Sequence, residues 1–250
     1  MSDTPKTSSP RSDHRKAGEL RPVTFEIGVA PAAAGSVLIK VGRTQLICAA
    51  MVEESVPRWM REQKAVGGWL TAEYSLLPYS TRQRTSREVN AGRVGGRTQE
   101  IQRLVGRALR AVTNLEKLGP RTIWVDCDVL QADGGTRTAA ITGAFVALRL
   151  AVNRLLKDGL LKEDPIREAV AAVSVGMVDG KALLDLCYEE DVKADVDMNV
   201  VLTAGGAFVE VQGTAEGEPF PDGDLQKMLA LAKKGIGSLL KAQRAALAGA

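Results

Sequence analysis

Three groups of side chains in this chain have types and spacings that chemistry can use. The first is Gln131-Ala132-Asp133-Gly134-Gly135-Thr136-Arg137-Thr138. A strand-like segment, 122–130, runs into it, and Ile141, Ala144, Phe145, Leu148, Val152 and Leu155 follow at helical spacing. Gly134 and Gly135 can take backbone angles closed to other residues and let a ligand approach the main chain. Thr136 suits an N-cap. First-turn amides without partners, at the positive end of a helix dipole, attract anions, and Arg137 adds a planar two-pronged cation. The stretch reads either as an anion site, most simply a phosphate site, or as a tight strand–helix turn with a surface arginine.

The second group is the loop from Tyr79 to Gly96. It carries Arg82, Arg84, Arg87 and Arg93 with Glu88 as its sole acid, and Arg97 stands just beyond it. Such cations repel one another unless an anion is near, and arginine forks suit the backbone of single-stranded RNA or DNA. A solvated loop, or an interface to an acidic patch on a partner subunit, is the alternative. The third group is the acidic run 188–197. Here Asp195 and Asp197 would share a strand face by alternation, and Asp191 lies across the bend. Clustered carboxylates ionise together best beside a cation, and one or two of them with water and substrate oxygens commonly hold Mg²⁺. A solvated acidic turn is the competing reading. An anion pocket, a polyanion track and a divalent-metal site are together the parts of a phosphoryl or nucleotidyl transferase.

Other chemistry is excluded by what the chain lacks. His14 is its only histidine and sits in a polar segment, so a Ser-His-Asp or Cys-His nucleophile and a zinc site are ruled out. Cys48, Cys127 and Cys187 are far apart, odd in number and placed in strand-like text, which suits buried thiols. The net charge of +3 says little by itself. No apolar run looks long enough to cross a membrane and no signal-peptide pattern opens the chain, so the expectation is a soluble cytoplasmic protein with no membrane partner.

These residues need elements to place them. The 250 residues, 45% apolar and 25% charged, suffice for a sizeable core. Residues 1–17 are Ser-, Pro- and charge-rich, which predicts a disordered tail, and 18–250 read as a single catalytic domain. Strands are expected at 23–27, 36–41, 44–52 and 69–77, then 122–130, 170–178, 182–188, about 198–202, and 208–212. Helices are expected at 98–114, 139–156, briefly at 165–169, and from 222 to the C-terminus. The hairpins rule out a purely parallel sheet, so the class is α/β (α+β), with helices covering a mixed sheet.

Several long stretches resemble the ribonuclease PH family. They are Glu-Leu-Arg-Pro-Val-Thr-Phe25, Leu-Thr-Ala-Glu-Tyr-Ser-Leu-Leu-Pro78, Gly-Arg-Thr-Gln-Glu-Ile-Gln-Arg-Leu-Val-Gly-Arg-Ala-Leu-Arg110, Trp-Val-Asp-Cys-Asp-Val-Leu-Gln-Ala-Asp-Gly-Gly-Thr-Arg-Thr138 and Val-Asp-Met-Asn199. The resemblance implies a two-layer α/β sandwich like the second domain of ribosomal protein S5. It implies a phosphate-dependent 3′–5′ exoribonuclease that trims tRNA precursors, releases nucleoside diphosphates and runs in reverse, working as a homohexamer, a trimer of dimers. Phosphate contacts would fall on Arg97, Gly135, Thr136 and Arg137, and the acidic metal pair, for Mg²⁺ or Mn²⁺, on Asp191 and Asp197. The same four charged residues, Arg97, Arg137, Asp191 and Asp197, would be the catalytic set. The tRNA grip would fall on Arg84 and Arg87, and where the family has a third arginine this chain has Tyr79, with Arg82 or a stacking Tyr79 in compensation. A catalytically silent ring subunit that only binds RNA is the alternative that the resemblance leaves.

Overall fold

The structure, a computed structural model, describes residues 11–249. In chain order its elements are β1 (Val23–Ile27), β2 (Gly35–Val41), β3 (Thr44–Glu53), α1 (Arg58–Glu62), β4 (Trp69–Leu76), α2 (Gly96–Ala111), β5 (Thr122–Gln131), α3 (Thr136–Lys157), β6 (Val170–Val178), β7 (Lys181–Leu184), α4 (Tyr188–Asp191), β8 (Val196–Thr203), β9 (Phe208–Ala215) and α5 (Asp222–Ala248). The class is α/β as expected, but the strands divide between two sheets. The first has the order β1-β2-β3-β5-β4 and is mixed, because β4 runs parallel to β5. The second, β7-β6-β8-β9, is wholly antiparallel.

Alternation decides which face of each strand is covered. Val37 and Ile39 of β2, Leu46, Cys48 and Ala50 of β3, and Ile123, Val125, Cys127 and Val129 of β5 are buried in one core with α2 and α3. On α2 the buried stripe Ile101, Leu104, Val105, Ala108 and Leu109 matches the helical spacing read from sequence. In the second sheet β6 is buried at every position, because it is covered on both faces. Its Val170 and Ala172 join the core around α3, whereas Ala171, Val173, Val175 and Met177 pack with Met228, Ala232, Ile236 and Leu239 of α5. The same division on β8 sends Val196, Met198, Val200 and Leu202 to α5. Asp197 and Asn199, the alternate positions, therefore face the side of the sheet that α3 covers.

Several expectations change. Helix α3 passes the length and hydropathy test for a membrane span, with a mean hydropathy of 1.5, against the reading that no run does. However, 72% of its most apolar window is buried, since α3 is covered by β2 and β3 on one side and β6 on another. Residues 165–169 form no helix. Ile166 makes an isolated bridge to Thr113 there. Cys187 lies outside any strand, at the start of α4, and all three cysteines are buried and free. The expected tail, 1–17, is also revised where it is described. Arg11 is buried, with Nε 2.6 Å and Nη2 2.7 Å from the Glu190 carboxylate, and Arg15 approaches Asp185 and Glu190. The low-hydrophobicity rule missed this because the segment docks through charge. Residues 1–10 lie outside the described residues.

A buried ion pair joins the sheets at the mouth of α3. The Arg21 guanidinium donates to both Asp185 oxygens, at 3.0 and 2.6 Å, and the Arg21 amide donates to one of them at 2.8 Å. The rest of the guanidinium donates to the carbonyls of Asp133, at 2.5 Å, and Gly134. Both side chains are 4% exposed, so removing one charge strands the other in low dielectric. Asp185→Asn keeps the shape and the φ of +56°, which asparagine tolerates. It is expected to lower unfolding free energy by about 3 kcal/mol, read as an earlier urea midpoint. An unchanged midpoint would show that the pair carries no such weight.

Candidate active site

A cleft of about 1110 Å³ opens where α3, α4, β8 and the loop after β4 meet. Its walls include Arg82, Arg84, Arg97, Gly135, Thr136, Arg137, Asp191 and Asp197, drawn from every charged group singled out in the sequence. Tyr79 also lines it, 68% exposed. Two residues of the sequence reading lie outside it. Arg87 is exposed outside the cleft and acts electrostatically on Asp128. Asp195 stands just before β8, exposed, and is not among the residues that line the cleft.

The glycine turn is built as an anion cradle, with one change of part. The cap of α3 is Gly135, left-handed at φ +66°, and Thr136 is the first helical residue. Thr136 thus frees its hydroxyl from capping. Tyr74, buried on β4, donates to Thr136 Oγ1 at 2.8 Å. Burial pushes the Tyr74 phenol pKa up, against the hydrogen bond to Thr136 and the pull of Arg97 and Arg137, so both cations lie within electrostatic reach of this corner. Gly134, at φ +77°, has a second requirement. A Cβ there would sit 2.6 Å from the Leu186 carbonyl oxygen and 2.8 Å from the Tyr188 nitrogen. The anion turn and the start of α4 therefore touch backbone to backbone.

That contact puts the acidic residues beside the cationic ones. The acidic run is not an open turn. Tyr188–Asp191 form one helical turn, and the Glu190 carboxylate accepts from the Cys187 amide and from Arg11. Burial works to raise the Glu190 pKa, but Arg11 and the Cys187 amide outweigh it and hold the carboxyl below its usual range. Asp191 is left facing the cleft. Partial burial of its carboxyl and then Asp197 raise its pKa, against the pull of Arg97 and Arg137. Across the second sheet, Ser174, Asn199 and Gln212 stand in one row by register, and Asp197 pairs with Gly176, which has no side chain to crowd it. Among the described residues no group of three or more His, Cys, Asp or Glu gathers as metal ligands, and the carboxylates that line the cleft are Asp133, Asp191 and Asp197.

The arginines are held differently. Arg97 is the second residue of α2, and Glu88, the lone acid of the loop, ties the loop to the start of that helix. Glu88 accepts from the Gly95 amide at 3.1 Å and from Thr98 Oγ1 at 2.7 Å. The start of the loop is pinned to the anion turn where the Ala132 amide donates to the Ser80 carbonyl at 2.7 Å. Its Arg82 reaches 3.5 Å from Glu189 on the far wall. Sequence reading missed Arg43, which lines the cleft from the β2–β3 turn and pairs with Asp133 at 3.0 Å. It also missed Ser174, Asn199 and Tyr188. Arg43 showed only a hairpin signal, and the strand residues needed a register that spacing along the chain does not contain.

Comparison with known proteins adds three findings. The family model described as the 3′ exoribonuclease family, domain 1, matches residues 19–152, and its domain 2 matches residues 168–235. Proteins named ribonuclease PH are similar over nearly their whole length. That of Solibacter usitatus is 54% identical, covering 96% of this chain and 100% of the relative. That of Bacillus subtilis is 55% identical over 95% and 96% of the two chains. Among solved structures, rice Rrp46 superposes with a TM-score of 0.76 at 17% identity, covering 95% of this chain and all of that one. The Archaeoglobus fulgidus exosome with RNA bound to the active site gives 0.77 at 22%, covering 93% and 92%, a likeness of fold.

The raised Asp191 pKa has a sign that can be checked. A folded state that binds its proton more tightly than the unfolded chain loses stability as pH rises through the window between the two pKa values. At neutral pH the Asp191–Asp197 repulsion is then fully present. In EDTA at neutral pH, Asp191→Asn should melt at a higher temperature than wild type, and the difference should shrink as pH falls through that window. An equal or lower melting temperature at neutral pH contradicts the repulsion.

Proposed function

This chain belongs to the 3′ exoribonuclease family, and on that premise we propose that its cleft shortens RNA from the 3′ end with inorganic phosphate as the attacking group. The activity is phosphate-dependent 3′–5′ exoribonucleolytic processing of tRNA precursors, a nucleotidyl transfer in the reverse direction. The observation that carries the reading at the level of residues is the shared cleft: Arg97, Arg137 and the Gly135–Thr136 turn on one wall, Asp191 and Asp197 on another.

The reaction is a displacement at phosphorus between two anions, so repulsion is its main barrier. Arg97, Arg137 and the first-turn amides of α3 hold phosphate beside the last phosphodiester. A phosphate oxygen bonds to that phosphorus and the bond to the 3′ oxygen of the preceding nucleotide breaks. The proton carried by the attacking phosphate ends on the released 3′ oxygen. A nucleoside diphosphate leaves and the RNA is one residue shorter, with no histidine required. Asp191 and Asp197 are the residues that would hold Mg²⁺ or Mn²⁺, and a two-carboxylate set completed by water and substrate oxygens fits such an ion. When bound, the ion supplies charge neutralisation at phosphate oxygens.

Arg82 and Arg84, exposed on the loop, grip the incoming strand, with Tyr79 available to a base face. Arg87, exposed outside the cleft, contacts RNA further out. The working particle is a six-membered ring acting in the cytoplasm, a trimer of dimers.

The test is release of diphosphates from an RNA with a short 3′ tail in phosphate and Mg²⁺. Asp191→Asn should abolish turnover while RNA binding persists, and Arg84→Ala should weaken RNA binding and flatten its salt dependence by about one phosphate contact. Monophosphate release without phosphate rejects the reaction. Full activity in Asp191→Asn removes the acidic pair from it, and absence of turnover in wild type with RNA still bound favours a silent ring subunit.

A further inference from the structure

Arg137 lines the cleft, and its bonds to side chains all use one nitrogen. Its Nη1 donates to Gln212 Oε1 at 2.8 Å and lies 3.5 and 3.3 Å from the two Glu100 oxygens. Gln212 Nε2 in turn reaches Glu100 Oε1 at 3.5 Å. The three residues come from α3, α2 and β9, that is, from both sheets' layers. A guanidinium has two hydrogens on Nη1, and these partners account for both. Among the described residues no protein acceptor is bonded to Nη2 or Nε, which form the opposite edge of the fork. That edge has the two-donor geometry that a phosphate accepts bidentately.

We propose that Glu100 and Gln212 are positioning residues for phosphate: they clamp Nη1 of Arg137 and so aim its Nε–Nη2 edge at the anion. The inference rests on the phosphorolytic reading above and adds residues to it. Glu100 has a second effect. It stands three residues after Arg97 on α2, about one turn along the same face, and touches Arg137, so its charge offsets the repulsion between two neighbouring cations before phosphate arrives. The acid also competes with phosphate for Arg137. The closer partner of Nη1 is the neutral Gln212, which fixes geometry without drawing the charge away.

The proposal separates from a general packing role through phosphate dependence. Steady-state phosphorolysis is measured with phosphate and RNA varied in turn, for Glu100→Ala, Gln212→Ala and Glu100→Gln. Glu100→Ala and Gln212→Ala should raise KM for phosphate by about ten- to a hundredfold, as loss of aim at a bidentate contact does. The RNA KM and the melting temperature should stay near wild type. Glu100→Gln retains an oxygen for Nη1 and should restore phosphate KM to near wild type. Against an Arg137→Lys background, which has no fork to aim, Glu100→Ala should add nothing further. Unchanged phosphate KM in both alanine variants overturns the clamp, as does an equal added effect in the lysine background. If Glu100→Ala fails to fold, Gln212→Ala decides alone. A wild type that releases no diphosphate fails the reading beneath, whereas an active wild type with indifferent variants fails the clamp only.

Discussion

The structure depends on a close approach between two pieces of backbone. The anion turn at Gly134 lies against the chain from Leu186 to Tyr188 with no room for a methyl group. Arg21 fastens the same junction, since one guanidinium bonds the Asp133 and Gly134 carbonyls on one side and the Asp185 carboxylate on the other. Without this contact the positive mouth of α3 and the acidic turn α4 would belong to separate halves of the molecule. With it, an anion site and a cation site share a wall.

The sheets make that junction possible. Helix α3 is buried between them, so its N-terminus emerges at the seam where β5 ends and β8 begins. Strand alternation on β8 then selects which side chains meet it. The apolar positions pack on α5, and the intervening Asp197 and Asn199 turn toward the seam. A one-residue slip in β8 would exchange these faces, burying two polar groups under α5 and removing them from the cleft.

Charge in the cleft is arranged in opposed pairs rather than neutralised. Arg43 pairs with Asp133, Arg82 with Glu189 and Arg137 with Glu100, while Asp191 and Asp197 repel each other under the pull of Arg97 and Arg137. Of these arginines only Arg137 is mostly buried, and its partners leave the Nε–Nη2 edge without a protein acceptor among the described residues. The N-terminal Arg11 and Arg15 serve the same end from behind, fixing Glu190 and Asp185 so that Asp191 alone of α4's acids faces the anion turn's cations.

What the sequence alone determined is what depends on local order. The strand–glycine–helix run at 122–156, the stripe on α2, the hairpins and the exclusion of histidine chemistry are properties of neighbours in the chain, where 2.0- and 3.6-residue periods act. Its long motifs also carried the family. The tertiary structure alone decided which residues meet. Thr136 lost its capping role to Gly135 because the turn needs a left-handed residue, and Asp197 lines the cleft while Asp195 does not. Residues 11–16 docked through charge where composition had indicated a tail, and Glu100 and Gln212, 112 positions apart, converged on one nitrogen of Arg137. Each of these rests on sheet register or on the crossing of distant elements, and pairing across such separations is set by the packing of the whole chain, which no local period records.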